Sequence, residues 1–298
     1  MNNLEQWIGA SMIKQILYSF IIFLIYIPTS LGAPSSWTVT DTDTTIILYG
    51  TFHLGTPDTS WLTNETLVRL EKSDRLYLEL APEQMTPEIM GPIMAAHGLL
   101  PQNQTLLTIL PASAHQNLES YMQSRGIAPN SFDRMRPWLA SMVIGMQEFN
   151  ARGFSGDLGA EKLISRKAIN HNIPIYGLET AEGQMSIFSA LRFEDEVDFL
   201  AMTLNDMKNA DIMIDNLITA WKTGNDRALD ELMNKELSRI PGLVKTLLHD
   251  RNENWVKEIS KMMKEPGYFF VAVGAGHLVG NHGVPTLLKN AGHGVLKN

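Results

Sequence analysis

The stretch "ILYGTFHLGT" at residues 47–56 runs a strand-forming segment into Gly50 and places His53 three positions further on. Near the other end, "FFVAVGAGHLVG" at 269–280 repeats the device: an apolar strand, Gly274, then His277. Glycine at a strand end lets the backbone turn tightly or approach another group closely. In open α/β sheets ligands bind beyond the carboxyl ends of the strands, where loops gather side chains from distant segments. The two turns are therefore expected to meet at one sheet edge, each histidine on the first turn of a following helix.

Two further strands end in a carboxylate. "RLYLELAP" at 75–82 reads as a short strand ending at Glu79, and "IPIYGLET" at 173–180 as another ending at Glu179. Upstream, the alternation on both sides of "DTDT" in "SWTVTDTDTTIILYGTFH" at 36–53 predicts a hairpin leading into the first buried strand. "TSWLTNETLVRLEKS" at 59–73 and the stretches 84–150 and 193–264 carry helical spacing, and "VPTLLKNAGH" at 284–293 reads as a closing helix. Strands at both ends enclose a helical middle with no Gly/Ser/Pro linker between them. The expected fold is a single α/β domain over 33–298, its central sheet built from N- and C-terminal strands and surrounded by helices.

The remaining 1–32 are read as a signal peptide. "ILYSFIIFLIYI" at 16–27 is too short for the roughly 20 apolar residues of a bilayer-spanning helix, and "PTSLGA" at 28–33 offers a helix breaker and small residues, with cleavage after Gly32. An exported chain, periplasmic or secreted, with no stable membrane span after cleavage is the expectation. With no cysteine among 298 residues, such a chain folds without disulfides, and thiolate ligands and cysteine nucleophiles are excluded. The balance of 24 basic and 32 acidic residues, formal charge -8, with no Lys/Arg cluster, argues against nucleic acid as a partner.

Histidine, aspartate and glutamate are left to carry chemistry. Two histidines with one or two carboxylates form a complete ligand set for a hydrolytic divalent metal with one position open for water. The same residues also have plainer uses, since a histidine in a glycine-rich turn often serves as a structural hydrogen-bonder and a strand-end glutamate as a cap.

The chain resembles the TraB/GumN family, which includes the Tiki proteases and pheromone-shutdown proteins. The likeness runs through "LYGTFHLG", "RPW" at 136–138, "GDLGAEKLISRKA" at 156–168, "YGLETAEGQM" at 176–185, "RNENW" at 251–255 and "VAVGAGHLVGNHGVPTLLKNAG" at 271–292. The resemblance implies a metal-dependent hydrolase acting on peptides, with a manganese- or cobalt-like divalent ion, and a fold similar to erythromycin esterase-like and ChaN-like proteins; from the residues themselves, zinc as the metal and ester bonds as the target stay open. The resemblance places His53 and His277 on the family's paired histidines, Glu79 and Glu179 on its acidic residues and Arg251 on its arginine; the mechanism expected from these residues has His53, Glu79 and His277 as metal ligands, Glu179 as general base or fourth ligand, and Arg251 steadying an oxyanion or a substrate carboxylate. The alternatives it leaves open are a metal-free His/Glu esterase and a haem or small-ligand binding protein. His282 and His293 follow the second turn closely and are left without an assigned role.

Overall fold

The computed structural model describes residues 32–298. The apolar run at 16–27, and with it the expected signal peptide, lies outside the described residues. Residues 33–298 form one compact unit, and among the described residues no helix is long and apolar enough to cross a membrane.

The sheet is six-stranded, in the order β4-β3-β5-β2-β1-β6. β1 (Ser36–Thr40) and β2 (Thr44–Thr51) form the expected hairpin. The Asp41 carboxylate accepts from the backbone N–H groups of Asp43 and Thr44, a side-chain turn that fixes the register. β5 (Gly267–Gly274) then pairs in parallel with β2 along its whole length, from Thr44 opposite Gly267 to Thr51 opposite Gly274. The two glycine-histidine turns therefore leave the sheet side by side.

β3 (Arg75–Leu78) flanks β5 on its other side, and β4 (Ile175–Gly177) flanks β3, both pairings parallel. All four carboxyl ends thus lie along one edge of the sheet, as the sequence implied. β5, from near the end of the chain, is inserted between two strands from its beginning, so its turn is flanked by loops from both sides. Parallel strands in such a position are covered on both faces and read as continuous apolar runs. Ile46, Leu48, Phe270 and Ala272 are accordingly fully buried.

Several helices surround the sheet. α1 (Asn64–Glu71) starts where the Thr63 side chain accepts from the Thr66 N–H, a cap worth about 1 kcal/mol. α2 (Pro87–Gly98), α3 (Ala112–Arg125) and α4 (Pro137–Ala151) follow β3. α5 (Ala160–Asn170) precedes β4, and α6 (Ala181–Ser189), α7 (Phe193–Asp206) and α8 (Ala210–Lys222) follow it. α9 (Asp250–Met262) leads into β5, and α10 (Val284–Asn290) follows it. Ile164 of α5 and Trp255 and Ile259 of α9 join the core of the sheet. Leu118 of α3, Ile144 of α4, Leu200 of α7 and Ile214 of α8 build a second core in the helical middle.

Three expectations need correction. The closing helix ends at Asn290, and the chain reverses at Gly292, whose φ of 92° suits glycine, into a sixth strand, β6 (Gly294–Lys297), antiparallel to β1. Glu79 and Glu179 lie just past their strands rather than closing them. His277 does sit in a single helical turn, Ala275–Leu278, but of 3-10 type, whereas His53 lies in an irregular loop with no helix before Asn64.

Candidate active site

Gly274, at the end of β5, is the floor of the site. A β-carbon built on it would meet Glu79 Oε1 at 3.1 Å, His277 Cδ2 at 3.6 Å and His53 Nε2 at 3.8 Å. Both histidine turns and the first strand-end carboxylate therefore converge on one point that only a glycine leaves open. The Gly274 N–H also donates to Glu79 Oε1 at 2.8 Å, which ties the ends of β3 and β5 together beyond their last ladder pair.

Arg251, in the first turn of α9, organises the carboxylates. Its Nε donates to Glu179 at 2.9 Å, and its Nη2 donates to Glu79 Oε2 at 2.6 Å and to Glu179 Oε2 at 3.0 Å. Its Nη1 donates to His277 Nε2 at 3.0 Å and to the Leu247 carbonyl at 3.2 Å. A guanidinium has five N–H donors, and each is engaged here. Trp255, one turn further along α9, lies beneath the guanidinium at 4.8 Å and donates its indole N–H to Glu179 Oε1 at 2.9 Å. Gln184 of α6 donates to both carboxylates. Burial alone would raise the Glu79 carboxyl, but Arg251, the neighbouring histidines and the Gly274 N–H together outweigh it and hold the group well below the usual carboxylate range.

The tautomer of His277 follows from its neighbours. Asn252 donates through Nδ2 to the His282 carbonyl at 2.8 Å, so its Oδ1 faces His277 Nδ1, 2.6 Å away. An amide oxygen only accepts, so Nδ1 carries the proton and Nε2 is the acceptor for Arg251. Burial, and then the adjacent Arg251 charge, push the imidazole down to about 3, so the ring is neutral.

His53 is differently placed. Its Nδ1 lies 2.8 Å from Glu161 Oε1, and its side chain is 67% exposed. Thr51 donates its hydroxyl to the same Glu161 oxygen. The Glu161 charge beside it raises the imidazole to about 10, so the ring is protonated near neutral pH. Among the described residues Nε2 has no hydrogen-bond partner, and it faces the Gly274 cradle. His53 with Glu161 thus forms an oriented acid–base pair with one accessible nitrogen.

Glu161 was not singled out from the sequence, although "GDLGAE" contains it. Its signal was structural. A β-carbon on Gly159 would lie 2.2 Å from the His53 carbonyl oxygen, and one on Gly55 would lie 1.9 Å from the Leu158 carbonyl oxygen. The Ala160 N–H donates to the Phe52 carbonyl at 2.9 Å, and Gly55 and Ser155 exchange backbone bonds at 3.0 and 2.8 Å. Glycines in both segments let the start of α5 dock on the His53 loop backbone to backbone, which delivers Glu161 to the imidazole.

All five expected site residues, His53, Glu79, Glu179, Arg251 and His277, are brought together. Their bonding departs from the expected roles of all five. Arg251 has no donor left for an oxyanion or a substrate carboxylate, and acts as a clamp on Glu79, Glu179 and His277. Glu179, with Arg251, Trp255 and Gln184 on its oxygens, orients the clamp. The expected metal set of His53, Glu79 and His277 does not fit a divalent ion as arranged. His277 presents a carbon to the cradle with both nitrogens bonded, and a fixed cation already neutralises Glu79. Among the described residues no group of three or more metal-capable side chains is assembled. Of the two later histidines, His282 contributes its carbonyl to Asn252 and stacks on His249 at 3.8 Å. His293 bonds Ser260, away from this cluster.

The sequence model of the TraB/PrgY/gumN family matches residues 35–296. The chain belongs to that family. YbaP of Escherichia coli (strain K12), itself uncharacterized, is 26% identical over 255 residues, an alignment covering 81% of this chain and 87% of the relative. The metalloprotease TIKI2 of Danio rerio is 22% identical over 302 residues, covering 83% of this chain and 57% of TIKI2. The metalloprotease TIKI1 of Xenopus tropicalis is 22% identical over 316 residues, covering 87% and 60%. This family member thus spans most of its bacterial relative and just over half of the animal metalloproteases. The matched region includes every residue of the cluster around Gly274.

Proposed function

We propose that this protein hydrolyses peptide or ester bonds, with His53 transferring the proton and Glu161 orienting it. The observation that supports this most is the convergence of His53 Nε2, Glu79 Oε1 and the His277 ring on the bare α-carbon of Gly274. The substrate carbonyl lies over Gly274, where a side chain would exclude it. In its deprotonated form, whose share grows as pH rises toward about 10, His53 Nε2 takes a proton from the attacking water while Nδ1–H stays on Glu161, whose negative charge stabilises the resulting imidazolium. The same proton is then delivered to the departing amine or alkoxide, which returns His53 to its starting state. Such a positioned acid–base group contributes typically about 10²–10⁴-fold in rate. Arg251 keeps Glu79 ionised and His277 neutral, so the field around the cradle is fixed before substrate arrives.

The metalloprotease names of the TIKI relatives favour a second reading, in which manganese, cobalt or zinc takes part. Because His277 is engaged with Arg251 and Asn252, metal loading on the expected set would require that clamp to open. One experiment separates the two readings. Peptide and ester libraries are incubated with the protein, with His53→Ala and with Glu161→Gln, each before and after chelation and metal replacement. Hydrolysis lost in His53→Ala and indifferent to chelator supports the acid–base pair; hydrolysis abolished by chelator and restored by one metal supports the second reading. No hydrolysis under any condition removes both. We further propose that the chain is exported to a periplasm or beyond, which mass spectrometry of the fractionated cellular protein tests through a mature N-terminus at Ala33.

A further inference from the structure

A groove of ≈ 330 Å³ lies beside the His53–Glu161 pair, between the end of β3 and the first turns of α5. One wall is apolar, formed by Leu78, Leu80, Pro82 and Met85; the facing wall is polar, formed by Glu161, Lys162 and Arg166. The size is at the lower end of the range for ligand pockets, about 300–1,000 Å³, enough for one large side chain and its neighbour. Glu161 belongs to both the groove and the acid–base pair, so whatever occupies the groove is held next to His53.

The charges on the polar wall do not cancel. Lys162 pairs with Asp157 at 2.6 Å, while Arg166 donates only to the Asp157 backbone carbonyl, at 2.9 Å. Among the described residues no carboxylate lies in ion-pair range of Arg166, and the Glu161 charge is directed at His53. With His53 protonated, Glu161 and Lys162 are each paired and Arg166 is left as the wall's uncompensated cation; it faces an apolar surface on which Met85 is 53% exposed. Methionine is unbranched and adapts its shape to different apolar partners, and a guanidinium binds a carboxylate through two parallel N–H donors.

We propose that this groove selects the substrate, accepting a peptide segment in which an apolar side chain adjoins a carboxylate. The apolar group packs on Leu80 and Met85, and the carboxylate pairs with Arg166. Its role in selection rests on the hydrolase reading above; its ability to bind does not, and the two are tested separately. The probes are three dye-labelled hexapeptides that share one sequence except for a central Leu-Glu, Leu-Gln or Ser-Glu pair. Binding is measured by fluorescence anisotropy on the full chain carrying His53→Ala, alone and with Arg166→Gln or Met85→Ser, and turnover is measured on the unmodified protein.

The Leu-Glu peptide is expected to bind on the order of tenfold more tightly than either of the others. Arg166→Gln removes its advantage over Leu-Gln, and Met85→Ser reduces its advantage over Ser-Glu. Arg166 is exposed, so this variant keeps its fold, which circular dichroism verifies. Equal affinity for the three peptides, binding of none, or selectivity untouched by Arg166→Gln overturns the proposal. Selective binding without turnover keeps the groove and removes the hydrolase reading, whereas turnover without selectivity does the reverse.

Discussion

Arg251 and His277 carry the sharpest consequences of the site's geometry. Replacing Arg251 with methionine leaves Glu79, 7% exposed, and Glu179 without their shared cation. Removing one partner of a buried ion pair costs about 3–5 kcal/mol, so a fall of that size in urea-unfolding free energy is expected. Arg251→Lys recovers only part of it, because three donors on one nitrogen do not reproduce a five-donor fork. His277 yields a pH prediction. The native ring accepts a proton only near 3, whereas in the unfolded chain it does so near 6.5. Between those values the unfolded state binds more protons, so this group's contribution to stability is present above pH about 6.5 and is lost as pH falls toward 3. The maximum slope for one group is about 1.4 kcal/mol per pH unit. Ring-nitrogen NMR should show His277 protonated at Nδ1 alone and unchanged from pH 8 down to pH 5; a midpoint near 6.5 would contradict the Asn252–Arg251 bracket.

At the scale of elements, the site depends on where backbones can touch, and two glycines separate fold from function. Gly274→Ala adds a methyl that meets Glu79 Oε1 at 3.1 Å and the histidine rings at 3.6 and 3.8 Å. A shift of a few tenths of an ångström accommodates it, so the variant should melt within a few degrees of the parent while losing hydrolysis by on the order of 100-fold, because its cradle is filled. Gly159→Ala drives a carbon to 2.2 Å from the His53 carbonyl oxygen and must undock the start of α5. Its expected signature is a loss of both stability and activity, with His53 released from Glu161. Legibility in the sequence divided along this line. Gly50, His53, Gly274 and His277 were readable because a strand, a glycine and a histidine at fixed spacing have a local meaning, and Glu79 and Glu179 because they follow strands. Glu161 and Asn252 were not, since a glutamate in the first turn of α5 and an asparagine in the first turn of α9 are ordinary local sequence. Their roles arise from which loop each helix start touches.

The whole molecule shows why the order of strands matters more than their number. β5 lies between β2 and β3, so a strand from the end of the chain joins two from its beginning, and the pairing from Thr44↔Gly267 to Thr51↔Gly274 aligns the turns. That alignment explains the repeat of the glycine-histidine device: each end of the chain supplies one half of a site completed only when the sheet closes. β6 has a different status. It is four residues long and mostly exposed, and it lies at the far edge, antiparallel to β1. Its sequence, "GVLK", is too short and too open to announce a strand, which is why none is expected after the closing helix of 284–293. Removing residues 294–298 deletes the ladder from Trp37↔Lys297 to Thr40↔Gly294 and the Lys297–Asp226 pair at 2.7 Å. It leaves β2, β5, β3 and β4 untouched. The truncated protein is expected to melt several degrees lower and to retain its hydrolytic rate. By contrast Val271→Asp, which buries an unpaired charge at a position 1% exposed in the central strand, should yield no folded protein. Circular dichroism melts and peptide turnover of the two variants check this contrast. A truncation that abolished activity while the chain remained folded would mean that the edge hairpin sets the position of the His53 loop, and that the site extends across the sheet to β1.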